Sequence, residues 1–252
     1  MYKRQDIRGW SSEALANAGD YNKALAKMDS MKRKTAAVKQ AYQQVAYNKA
    51  VLDYNDGKFR SAVDNLMKSV RYPLDKELES KAYFWMAEAY AYGYKYQDAA
   101  IYYQRVSSQY NVYTKALYGL GYAQYNQQEY TKALSTFTKY LERPIESGER
   151  KLDALVRLAD CYYVSKNYDK AITLYSGAIR ANAENLDYIY YQKALAELAG
   201  GRRNQASQTL DYIMTNFPES KNLDRAYFEK AQLYFEINDM STAVEWLSLI
   251  HI

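Results

Sequence analysis

The stretch KALYGLGYAQYNQQEYTKALSTFTKYLERP, residues 115–144, holds one complete structural repeat, and its reading decides the fold. Leu117, Leu120, Gly121 and Tyr125 fall at i, i+3, i+4 and i+8, one face of a helix. Asn126 to Glu129 forms a polar break. Tyr130, Ala133, Leu134 and Phe137 then restart the same period, and Pro144 closes the second helix.

The unit recurs along the chain. Ala24, Ala62, Ala99, Ala133, Ala171, Ala206 and Ala243 mark the second helices at spacings of 38, 37, 34, 38, 35 and 37 residues. Twelve residues ahead of all but the first runs a second series: Ala50, Ala87, Gly121, Ala159, Ala194 and Ala231. A small residue in each of two helices, once per repeat, lets those helices approach closely. Self-similarity at this period predicts a solenoid of antiparallel helix pairs. Breaks are expected at Asp56-Gly57, Tyr92-Gly93, Lys166-Asn167, Gly200-Gly201 and Asn238-Asp239, whose glycines and polar residues suit helix–helix turns.

Composition narrows the function classes. Hydrophobic residues make up 48% of the 252 and only three are proline, so long helices around a core are feasible. The 34 basic and 29 acidic residues interleave, which reads as solvated helix faces rather than a nucleic-acid footprint. The single cysteine, Cys161, rules out an internal disulfide and is expected to be a small buried packing residue. No stretch approaches the roughly 18 apolar residues of a membrane span.

The gapped pattern resembles the tetratricopeptide repeat. Gly19-Asp-Tyr-Asn-Lys-Ala24, Lys166-Asn-Tyr-Asp-Lys-Ala171 and Asn216-Phe-Pro-Glu-Ser220 carry the resemblance, over about residues 11–246 and seven units. Arg203 and Met240 depart from it by replacing the turn aromatic, and Ser12 stands where the first small residue belongs. The resemblance implies an all-α, right-handed superhelical solenoid, its last unit truncated. Residues 1–10 and 247–252 fit the pattern poorly and resemble translated adapter sequence. They are expected to be a non-native or frayed leader and tail on an internal piece of a longer protein.

The resemblance also implies where a partner would sit: a groove lined by the first helices, at three before and one and four after each small residue. Those positions give Tyr47, Val51 and Tyr54; Phe84 and Glu88; Tyr118, Tyr122 and Tyr125. They continue as Val156, Asp160 and Tyr163; Tyr191, Leu195 and Leu198; Phe228, Gln232 and Phe235. The stripe Tyr118–Tyr122–Tyr125 is the best contact candidate, because tyrosine offers a broad apolar face and a hydrogen-bonding tip. Those tyrosines stand where a clamp for chaperone carboxyl tails would need Lys and Asn, which argues against that mode. Tyr83, Tyr90, Tyr162, Tyr175, Tyr227 and Tyr234 fall at core spacing.

Catalytic chemistry is not expected. The only histidine is His251, in the tail, so neither a histidine base nor a metal site is built. Gly119-Leu-Gly121 lacks the strand and third glycine of a dinucleotide loop and reads as helix packing. No cofactor is expected. The reading is a scaffold for partner proteins or extended peptides, without nucleic acid as partner. The repeats around Asn216–Tyr227 look like those of bacterial envelope-assembly proteins, which implies a periplasmic or outer-membrane-associated location. The rival readings are a cytoplasmic regulatory scaffold and a glycan-binding surface protein.

Overall fold

A computed structural model describes residues 15–16, 19–144 and 148–250. Those residues form thirteen α-helices and no strand: the all-α repeat solenoid expected from the sequence. The chain divides into two compact units between Gln127 and Gln128. Unit 1 contains α1 (Tyr21–Asp29), α2 (Ala36–Asn55), α3 (Phe59–Ser69), α4 (Lys76–Tyr92), α5 (Tyr96–Gln104) and α6 (Val112–Asn126). Unit 2 contains α7 (Tyr130–Leu141), α8 (Gly148–Val164), α9 (Tyr168–Arg180), α10 (Leu186–Ala199), α11 (Arg203–Asn216), α12 (Leu223–Glu236) and α13 (Met240–Ser248). The proposed leader lies outside the described residues; of the proposed tail, Leu247 and Ser248 continue α13.

Each turn inside a helix pair uses the same device. Five residues before every second-helix alanine stands a residue in the left-handed region: Gly19, Gly57, Tyr94, Gln128, Lys166, Gly201 and Asn238, with φ between 57° and 83°. The following residue's amide reaches back five residues, as when Lys58 N–H donates to the Asp53 carbonyl at 2.8 Å and Asn167 N–H to that of Tyr162 at 2.9 Å. This closes the first helix and aims the second back along it. In the third pair the break falls at Tyr92-Gly93 as expected, and the left-handed residue is Tyr94. Asp20, Asn167 and Asp239 then cap their second helices with side-chain oxygens.

The alanines do what their spacing predicts. Ala24, Ala62, Ala99, Ala133, Ala171 and Ala206 are fully buried, as are Ala50, Ala87, Ala159 and Ala194. A further register emerges on the first helices, five before and two after the small residue. Ala82 of α4 packs with Ala50 and Leu66 of the preceding pair. Ala116 and Ala123 of α6 pack with Ala99, Tyr103 and Val106. Ile189 and Ala196 of α10 pack with Ala171, Ile172 and Tyr175, and Ala226 of α12 with Tyr191, Leu210 and Ile213. Within each unit, a first helix therefore buries one edge against its own second helix and another against the pair before it, which is how a solenoid propagates.

Buried or half-buried acids lock four of the pairs, from one of two places on the first helix. In the second and sixth pairs the acid stands three after the small residue. Asp53 accepts from Asn65 and Ser61, both at 2.8 Å, and pairs with Lys49; Glu197 accepts from Thr209 at 2.7 Å and pairs with Lys193 at 2.5 Å. In the third and fifth pairs it stands one after. Glu88 accepts from Tyr103 at 2.5 Å, and Asp160 from Tyr175 at 2.6 Å. Buried Gln43 ties down the loop ahead of α4, accepting from the amides of Leu74 and Asp75 and donating to the Asp75 carbonyl. Buried polar groups cost free energy unless satisfied, so these partners fix which helices pair.

Candidate functional site

In unit 1 the first helices α2, α4 and α6 lie side by side in that order. Together they carry eight of the expected groove residues. Tyr47 and Tyr54 are half-buried on α2, and their rings surround Trp85 of α4. Tyr54 meets Trp85 at 4.9 Å and Phe59 at 5.1 Å, both edge-on, and Phe59 lies 4.3 Å from the ring of Tyr92. Burial raises the Tyr47 phenol's pKa, partly offset by a hydrogen bond with Trp85. Tyr118 and Tyr122 of α6 pack at 5.1 Å, and Tyr125 lies half-buried one turn beyond. The result is an aromatic surface with an indole, several phenols and no strong nucleophile.

Two expected groove positions point inward, one buried and one half-buried. Phe84 is buried in a cluster with Ala87, Tyr103 and Ala116, because α6 covers that flank of α4. Glu88 turns toward its own second helix and accepts from Tyr103. Trp85, next to Phe84, is the ring that faces Tyr47 and Tyr54. The step from three to two before the small residue rotates the side chain by about 100°. Trp85 escapes a fixed-stripe reading for that reason, although a lone tryptophan amid tyrosines at helical spacing is a visible signal.

Unit 2 repeats the theme with more charge. Tyr163 of α8 is half-buried, 5.9 Å from the ring of Tyr168. Tyr191 of α10 and Val156 are buried, because the following first helix covers their flank. Tyr191 therefore serves as wall rather than face, and burial pushes its phenol up to about 12. Glu229 of α12 faces Tyr191, and burial raises its carboxyl above the usual range against that hydrogen bond. Leu195 and Leu198 are half-buried, whereas Phe228, Gln232 and Phe235 are exposed.

Asp160, expected in the groove, is buried. Tyr175, Tyr188 at 3.0 Å and Arg157 at 2.5 Å all donate to it, while the Arg157 guanidinium lies 5.1 Å from the ring centre of Tyr188. Burial, ahead of the Asp160 charge, pushes the Tyr188 phenol up to about 12. The adjoining Cys161 is buried as expected, its thiol raised to about 12 by burial, which leaves no thiolate for nucleophilic chemistry near neutral pH.

Of the tyrosines at core spacing only Tyr175 is fully buried; Tyr83, Tyr90, Tyr162, Tyr227 and Tyr234 are half-buried. Tyr83 and Tyr90 flank Tyr102, and Arg105 lies over both Tyr83 and Tyr102. Tyr42, Tyr103 and Tyr140 are buried instead. Among the described residues no group of three or more His, Cys, Asp or Glu side chains could hold a metal ion, and no helix is long and apolar enough to cross a membrane.

Comparison with known proteins agrees with this architecture. Family models described as tetratricopeptide repeat match residues 87–149, 118–185 and 188–220, together more than half of the chain. No curated protein sequence matches significantly. Among solved structures, the C-terminal part of a TPR repeat-containing protein from Cytophaga hutchinsonii aligns at 16% identity and TM-score 0.63, over 96% of this chain and 95% of that one. MamA from Desulfovibrio magneticus RS-1 aligns at 19% identity and TM-score 0.59, over 68% of this chain and 92% of its own. YrrB, described as a TPR protein with an unusual peptide-binding site, aligns at 18% identity and TM-score 0.59, over 69% and 86%. At these identities the likeness is one of fold.

Proposed function

Because the chain belongs to the tetratricopeptide-repeat family, we propose that it is a non-enzymatic scaffold that binds partner proteins or extended peptides along the aromatic faces of its first helices. The carrying observation is the surface that Tyr47, Tyr54 and Trp85 form beside Tyr118, Tyr122 and Tyr125. Rings held edge-on by neighbours have little conformational freedom left to lose on binding, and tyrosine and tryptophan dominate the energetics of protein interfaces. The phenol hydroxyls suit the carbonyls of an extended backbone, while the indole N–H of Trp85 is engaged by Tyr47 and orients that ring. The peptide-binding site named for YrrB supports such a use of the fold.

The reading extends to a role in bacterial envelope assembly, with the chain in the periplasm or at the outer membrane. Its support is the likeness of the Asn216–Tyr227 repeat to envelope-assembly proteins, together with a composition holding one buried cysteine. The test places a photo-crosslinking residue at Tyr122, with the exposed Tyr212 as control, and compares envelope and cytosolic fractions. Partner adducts at Tyr122 from the envelope fraction support the reading. Adducts from the cytosolic fraction alone would overturn the envelope role, and equal labelling at Tyr212 would overturn the surface.

A further inference from the structure

A cleft of about 490 Å³ opens in unit 1 between the start of α4 and the segment that follows α5. Its walls include Lys76, Glu79, Ser80 and Tyr83 from α4, and Arg105 and Ser107 from that segment. The cleft is formed in advance. Val106 is buried among Ala99, Tyr103 and Ala116, which anchors the segment to the core. The Ser107 amide donates to Oγ of buried Ser80 at 3.3 Å, which ties the two walls together. Groups held in this way have little ordering left to lose on binding.

The charges lining the cleft are unequally spent. Lys76 pairs with Glu79 at 2.9 Å, and the Tyr83 hydroxyl donates to the same carboxylate at 3.3 Å. Arg105 lies over two rings instead, 5.6 Å from the centre of Tyr83 and 5.5 Å from that of Tyr102. Among the described residues no carboxylate pairs with it; its side chain meets those rings and the Tyr83 hydroxyl. A guanidinium carries several N–H donors in a planar fork, so Arg105 keeps donors to spare. The hydroxyls of Ser80 and Ser107 accept from backbone amides and retain their own hydrogens for donation.

We infer that this cleft binds a side-chain carboxylate of an acidic partner segment, gripped by the Arg105 fork and met by the Ser80 and Ser107 hydroxyls. A planar carboxylate matches the fork through two parallel hydrogen bonds, which a neutral amide cannot do. Two cations and one carboxylate in the lining leave one net positive charge, the complement of a single negative one. A phosphate dianion would set a second charge against Glu79. The stacked rings hold the guanidinium in one place, so less freedom is lost as each bond forms. This contact shares no residue with the surface of Tyr47, Tyr54 and Trp85 or with the Tyr118–Tyr122–Tyr125 stripe, and it gives a partner a second, charged point of attachment.

The probe is N-acetylglutamate N-methylamide, titrated into the full chain and followed through the NMR signals of the Arg105 Nε–H and the Tyr83 ring. Saturable shifts with an affinity on the order of millimolar are expected, and none from N-acetylglutamine N-methylamide. Arg105→Gln should weaken binding about tenfold or more, read at the Tyr83 ring. Glu79→Gln should tighten it about threefold by removing the opposing charge. Arg105 is exposed, so its variant should keep its helicity, which circular dichroism checks. Equal shifts from the glutamine compound, binding that ignores Arg105→Gln or is weakened by Glu79→Gln, or no saturable shift would overturn the proposal. Tighter binding of inorganic phosphate than of the glutamate compound would overturn the assignment to a carboxylate.

Discussion

The Tyr175 hydroxyl donates a 2.6 Å hydrogen bond to Asp160, and both residues are buried. Tyr103 and Glu88 stand in the same relation two repeats earlier, again fifteen residues apart. Tyr175→Phe leaves Asp160 with Arg157 and Tyr188 as donors and should cost about 1 kcal/mol. Asp160→Ala leaves the half-buried Arg157 guanidinium with only the longer 3.8 Å contact to Asp153 and strands two tyrosine hydroxyls, and should cost about 3 kcal/mol. Urea unfolding followed by circular dichroism distinguishes the two.

Asp53 gives unit 1 an acid-sensitive lock. Burial pushes its carboxyl up, but hydrogen bonds from Lys49, Ser61 and Asn65 outweigh that and hold it below the ordinary 3.8. A carboxylate depressed in the folded state stabilises above its unfolded pKa, and that stability fades as pH falls below 3.8 through the folded value. Asp53→Asn should therefore be less stable than the parent at pH 7, and the two should converge on acidification. Thermal melts from pH 7 to pH 2.5 test this; parallel curves would remove Asp53 from the account.

The turns make a prediction about backbone strain. A side chain in the left-handed region costs about 1 kcal/mol or more relative to glycine. Lys166, exposed with φ of 60°, is such a residue, so Lys166→Gly should stabilise the chain by up to about 1 kcal/mol. At Gly57, φ is 73° and a Cβ would meet open space, so Gly57→Ala should cost about 1 kcal/mol through the backbone alone. The shift in denaturation midpoint at constant slope is the readout.

Gly119 differs, because there the obstacle is a side chain. A Cβ at this position would fall 2.3 Å from Cζ of Tyr103, whose hydroxyl is bonded to Glu88. Gly119→Ala must displace that ring, and overpacking of this kind costs about 1–3 kcal/mol. Tyr103→Leu should rescue much of the loss if the clash is the cause. A double-mutant cycle measures it.

The helices, their pairing and the alanines at the close approaches were legible because they rest on periodicity, and Ala62 or Ala171 has no other use than to be small. The groove was only partly legible. Tyr47 stands half-buried beside the following first helix, whereas Phe84 and Tyr191, at the same position three before the small residue, are sealed by it. Which outcome holds depends on the residues of the next repeat, not on the local spacing. Asp160 misled for a different reason: an acid on a helix reads as solvated, and its partners lie three, fifteen and twenty-eight residues away.

The step of twelve residues from each first-helix small residue to its second-helix alanine never varies, while the return to the next first helix takes 22 to 26. The length variation between repeats thus falls outside that step, at the second-helix ends and in the connections between pairs. Inserted sequence, a reporter or a protease site should be accepted there and rejected inside a pair, which makes the helix pair, rather than the single helix, the unit in which such a chain can be cut, lengthened or recombined.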